Sequence, residues 1–210
     1  VDQRVPPDRA RGIGMVGPII DIQPGDPWGR RIITMQTSGG PLKMVQGITE
    51  STPVWTKVEG LMSRRPFQWD MRIATSSIPR KVLSSVLLKQ IDKDDVDGRR
   101  QIVKLYIESD RFHDASSELT EMFEDFPDLR AELSDLARDL KQMSARRLLK
   151  EIDLRRDAGQ HRLVHRMLTQ FPEEGVASTM LGQVREELGD YEKTVAKAKD
   201  VLAKVDTTTA

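Results

Sequence analysis

Glycine and proline are spread so unevenly along this chain that their distribution alone divides it. Nine of the eleven prolines and nine of the fourteen glycines precede residue 80 in a chain of 210. Both residues end short elements with turns and both are poor in helix interiors. Their near absence afterwards, with apolar residues recurring at helical spacing, predicts helices from Ile78 onward. The expected fold class is α+β: a small N-terminal antiparallel β module followed by an all-α array of helical hairpins.

Residues 1–30 read as a Pro/Gly-rich leader or linker, punctuated by Pro6-Pro7, Gly17-Pro18 and Pro24-Gly25-Asp26-Pro27. Ile19-Ile20-Asp21-Ile22 is its one segment suited to a strand. Residues 31–75 read as the β module. Arg31–Thr37 is rich in β-branched residues, Ser38-Gly39-Gly40-Pro41 is a turn signal, and Leu42–Thr49 answers it as the second arm of a hairpin. Val54–Leu61 and Phe67–Ile73 alternate apolar and polar with period two, the mark of strands with one wet face. Trp28, Trp55 and Trp69 fall in or beside this region and are expected to act as fillers of a small sheet or partly closed barrel. Such a module is marginal alone, so docking onto the helices is expected. Ser77 is the expected N-cap before Pro79. Asp92–Asp95 separates a first helix carrying Val82, Val86 and Leu87 from the next, and residues 129–156 form one long helix by their leucine stripe.

The helical part, residues 78–206, carries a repeated spacing. Leu181-Gly182 is followed by Gly189-Asp190-Tyr191 and then by Thr194, Ala198 and Val201. A degraded version comes earlier. Ile102, Val103 and Tyr106 precede the turn Asp110-Arg111-Phe112, and Ala115, Leu119, Met122 and Pro127 follow it. A middle unit turns at Gly159-Gln160-His161 and ends at Phe171-Pro172. These residues resemble the tetratricopeptide repeat family, a 34-residue helical hairpin, over roughly residues 96–205. The resemblance implies that Gly182 lets a second helix approach, that Gly189-Asp190-Tyr191 turns the chain, and that first helices line a concave face which binds peptides or partner helices. Thr194, and Asp206 where the family places a helix-ending proline, depart from its pattern. On that alignment the partner-binding side chains are Arg99, Lys104, Arg147, Gln183 and Glu186.

Composition removes several chemistries. The chain has no cysteine, which excludes disulfides, thiolate metal sites and a cysteine nucleophile. Formal net charge is zero, with residues 1–80 at +4 and residues 81–210 at −4, so no strong field draws nucleic acid or anionic lipid. No apolar run approaches the roughly 20 residues of a membrane span. The chain opens on Val1 rather than Met, so it reads as a processed or excised piece of a longer protein.

Local motifs add no catalytic or cofactor site. Gly12-Ile13-Gly14-Met15-Val16-Gly17 spells a dinucleotide-binding string, but Pro18 follows it where a helix N-terminus would have to hold the pyrophosphate. His161 and His165 sit four apart as metal ligands can, yet a third ligand is missing and Arg162 and Arg166 flank them. Asp92–Asp97 lacks the closing glutamate of a calcium loop. No serine lies in a nucleophile elbow, and Asp94-Asp95, Glu173-Glu174 and Glu186-Glu187 read as solvated helix ends or faces. The basic residues from Arg146 to Arg166 interleave with Glu151, Asp153 and Asp157, and pairs such as Glu151–Arg155 make a salt-bridged helix face without the aromatics of a nucleic-acid surface.

The expected function is therefore non-catalytic. It is a protein–protein interaction or scaffold module that binds a peptide or partner helix, without metal or cofactor. The alternatives are a self-assembling structural subunit and an accessory domain of a larger enzyme.

Overall fold

The computed structural model describes residues 16–26, 28–63 and 69–208. Strands β1 (Val16–Gln23), β2 (Arg31–Thr37), β3 (Gly40–Ser51), β4 (Trp55–Ser63) and β5 (Asp70–Ala74) form one antiparallel sheet in sequence order. Helices follow: α1 (Arg80–Leu88), α2 (Val96–Glu108), α3 (Phe112–Asp125), α4 (Leu129–Glu132), α5 (Ser134–Asp157), α6 (His161–Thr169) and α7 (Ser178–Thr208). The α+β layout is the expected one. Its compact units are Val1–Phe126 and Pro127–Ala210, and the sheet shares the first with α1 to α3.

In the first unit, period-two alternation puts Ile33, Met35, Leu42 and Met44 on one face of the sheet. They meet as cross-strand pairs, Ile33 opposite Met44 and Met35 opposite Leu42, and Trp69 packs against them. Trp69 is thus the tryptophan that fills this core. Trp28 is 54% exposed beneath the Lys89 ammonium, and Trp55 lies under the Arg72 guanidinium at 4.4 Å. β1 is eight residues long, twice the expected segment. Register shifts on both sides of Ile19 break its alternation and leave Ile19, Ile20 and Ile22 exposed on an outer strand. The Gly12–Gly17 string lies outside the described residues except for Val16 and Gly17, which open β1. Phe67 lies outside them as well.

Ser77 does not cap α1. Its hydroxyl donates to the Ala74 carbonyl at 2.7 Å and closes a 3-10 turn at Thr75–Ser77, which leaves Pro79 as the N-cap. The α2/α3 hairpin forms at the expected place. Asp95 caps α2 through the Gly98 amide, and Asp110 adopts φ 56°, the left-handed conformation that Asp tolerates better than most residues. Arg111 then locks the turn: it donates to the Thr75 carbonyl at 2.8 Å, pairs with Asp114 at 2.6 Å and covers the Tyr106 ring.

In the second unit the long helix expected over residues 129–156 is interrupted at Leu133, which divides it into α4 and α5. Gly159, at φ 70°, makes the turn from α5 to α6. The largest departure is α7. Gly189-Asp190-Tyr191, expected as a turn, lies inside one continuous helix of 31 residues. A mid-helix glycine costs only about 1 kcal/mol. The apolar residues Val184, Leu188, Tyr191, Val195 and Ala198 keep their phase straight through it, so nothing rewards a break. Gly182 makes no close approach either, since nothing lies within 4 Å of the point where its Cβ would sit.

Candidate interaction groove

The site is built from three helices of the second unit. Ala145, Leu149 and Ile152 of α5, Val164 and Leu168 of α6, Phe171, and Val184 of α7 form one buried cluster. The 170–177 connection is held against α5. Gln142 donates to the Gly175 carbonyl and accepts from the Ala177 amide at 3.1 Å, and Lys141 pairs with Glu174 at 2.7 Å. The hydrogen bond from Lys141, reinforced by its charge, holds the Glu174 carboxyl below its ordinary pKa. Arg156 of α5 pairs with Glu187 of α7 and with Asp153. These ties fix where α7 leaves the cluster.

Helix lengths then create the opening. At 1.5 Å per residue, the nine residues of α6 reach about 14 Å, whereas the 31 of α7 reach about 46 Å. α7 therefore runs on well past the end of α6. Where they part lies a groove of about 550 Å³. Val164 and Leu168 give it an apolar wall on one side, and Val195 and Ala198 give one on the other. Arg156, His161, Glu187 and Asp190 stand at its polar edges. Tyr191, which also lines the groove, stacks on the His165 ring of α6 at 4.8 Å and ties α6 to α7 there. Thr194 turns its hydroxyl back to the Asp190 carbonyl at 2.9 Å, so its methyl group is left to the groove.

The structure does not gather the five sequence-predicted partner residues into one site. Arg99 and Lys104 belong to the first unit, and Arg147, Gln183 and Glu186 belong to the second. Arg99 is 7% exposed, with its guanidinium 2.9 Å from Asp125 and 3.6 Å from Glu118. It is a core ion-pair residue and not a surface contact. Lys104 is exposed and faces Glu108 at 3.7 Å on its own helix. Arg147 is exposed on α5, about 200° around the helix from buried Ala145. Gln183 and Glu186 are exposed on α7, and Gln183 donates to Glu187 at 3.0 Å. The basic stretch of α5 is paired as expected, with Arg155 2.6 Å from Glu151.

Sequence reasoning missed the polar centre that draws Arg99 inward. Glu118 is 0% exposed; it accepts from Ser84 at 3.0 Å and from Arg80 at 3.1 Å, and Ser84 is 2.7 Å from the Tyr106 hydroxyl. Burial raises the Tyr106 pKa, an effect the Ser84 hydrogen bond opposes and the Glu118 charge reinforces. The signal was readable. Arg99 shares a helical stripe with Ile102, Val103 and Tyr106, and Glu118 shares one with Ala115, Leu119 and Met122.

Among the described residues no cluster of three or more His, Cys, Asp or Glu side chains could hold a metal ion, and no helix is long and apolar enough to cross a membrane. What the groove offers chemically is apolar surface between charged edges. No protein-family model matches the chain, and no curated protein or solved structure matches it.

Proposed function

We propose that this protein is a non-catalytic binding module whose second unit takes a partner helix or helical peptide in the groove between α6 and α7. One observation carries the reading. The apolar stripe of α7 continues past Tyr191, which α6 covers with His165, to Val195 and Ala198, which face Val164 and Leu168 across a trough with two apolar walls. A helix laid in such a trough buries its own i, i+3, i+4 and i+7 side chains, which is how amphipathic partners dock. The tetratricopeptide resemblance is kept in this proposal for the α2–α3 and α5–α6 hairpins and dropped for α7, which acts as the open wall of the last groove. Arg147 faces away from that wall and is not part of it; Gln183 and Glu186 flank the start of α7.

The test is selection from a phage-displayed library of amphipathic helical peptides panned on the full chain. Enriched peptides should carry apolar anchors at helical spacing, and Val195→Asp should abolish their binding while leaving far-UV circular dichroism unchanged. Failure to enrich any peptide, or enrichment of peptides that bind Val195→Asp equally well, refutes the reading.

A further inference from the structure

We infer that the occupant of the open α7 face is the α7 helix of a second copy of this chain, packed antiparallel. This rests on the groove reading and adds the identity of the partner. The apolar residues of α7 follow an unbroken alternation of three and four: Leu181, Val184, Leu188, Tyr191, Val195, Ala198. In sequence the same spacing continues to Leu202 and Val205. A seven-residue repeat of this kind is the pattern of a helix that packs along its length on another helix. α6 covers only the first part of the seam: Leu188 and Tyr191 are half-buried against the second unit's helices, Val195 is half-buried, and Ala198 is exposed.

Charge decides both the partner and its direction. The positions beside the seam carry Arg185, Glu192 and Lys199, seven residues apart. Neither Glu192 nor Lys199 has a charged residue three or four away on α7, whereas Asp190 pairs with Lys193 and Asp200 with Lys204 on the same helix. A parallel second copy in register would set Glu187 against Glu192, like charge on like charge. An antiparallel copy that layers Val195 on Ala198 sets Glu192 of each chain against Lys199 of the other, twice over. The self-complementary surface of a two-fold dimer requires this reciprocity.

Sedimentation equilibrium of the full chain tests this with a charge exchange. The wild type should dimerise with rising concentration. Glu192→Lys alone and Lys199→Glu alone should each associate at least tenfold more weakly, because each homodimer then sets like charges together at both flanks. An equimolar mixture of the two variants should recover wild-type association, since at both flanks a lysine of one chain then faces a glutamate of the other. Both substitutions lie on the exposed side of α7, and unchanged helicity confirms folding. Variants that dimerise like the wild type, or a mixture that stays monomeric, overturn the inference. A monomeric wild type that still binds selected peptides through Val195 overturns the second copy as occupant while the groove itself stands.

Discussion

Glu118 gives the sharpest energetic prediction in the first unit. Its carboxylate is fully buried between α1, α2 and α3, with Ser84 at 3.0 Å, Arg80 at 3.1 Å and Arg99 at 3.6 Å. Removing one partner of a buried ion pair costs about 3–5 kcal/mol, because the remaining charge is stranded. Here the stranding is partial. Arg80 keeps Glu121 at 2.9 Å and Arg99 keeps Asp125 at 2.9 Å, and both of those carboxylates are about half exposed. Glu118→Ala should therefore fall at the lower end, about 3 kcal/mol. Glu118→Gln keeps the volume and one acceptor, so it should cost about half as much. Asp125→Asn, at the solvent edge of the same network, should cost no more than about 1 kcal/mol. Trp28, Trp55 and Trp69 all lie in the first unit and none in the second, so tryptophan fluorescence during urea unfolding reads this unit alone. With a urea slope of about 1.5–2 kcal/mol/M, Glu118→Ala should lower the midpoint by roughly 2 M. A shift no larger than that of Asp125→Asn would refute the view that Glu118 organises the three helices.

Three further outcomes follow from the same geometry. Gly189→Ala should stabilise α7 by about 0.5–1 kcal/mol, seen as greater helicity and a higher melting temperature, because nothing lies within 4 Å of the added methyl; a turn at this position would make the change destabilising. Gly29→Ala should destabilise the first unit by about 1–3 kcal/mol in the urea assay, because Gly29 sits at φ 70° and its Cβ would come within 2.7 Å of a Val86 methyl. Since burial raises the Tyr106 pKa above its ordinary value of 10.0, the unfolded chain ionises first as pH rises. Its contribution is therefore complete below about pH 10 and lost as pH climbs from there through the folded value. The urea midpoint should fall less steeply above pH 10 in Tyr106→Phe than in the wild type.

The sheet was legible because β2 is rich in β-branched residues, a Gly-Gly-Pro turn signal leads from it into β3, and β4 and β5 alternate apolar and polar; β1 was half legible because its bulges at Ile19 erase the alternation. The α2/α3 hairpin was legible from Asp110, whose short polar side chain suits the left-handed turn it makes. α7 was not, because Gly189 and Tyr191 are compatible with a turn and with a helix interior, and only the phase of the apolar residues on either side decides between them. Arg99 was misplaced for a related reason. Register put it on a concave face, but a buried carboxylate on the next helix made the inward rotamer more favourable than the exposed one. The groove was invisible for a different reason: it arises from the unequal lengths of α6 and α7, and no local motif records that difference.

Everything proposed for the groove requires residues 190–208 to continue straight from residues 178–188. The native chain has no cysteine, so spin labels at Gln183→Cys and Lys204→Cys report on α7 alone when the labelled protein is diluted into unlabelled protein. Twenty-one helical steps separate these positions, a span of about 32 Å at 1.5 Å per residue. Pulsed dipolar spectroscopy should give a single narrow distribution near that distance. A distribution centred near 15 Å, the separation expected if the chain folds back at Gly189 into two helices about 10 Å apart, would contradict the open α7 face and the function built on it.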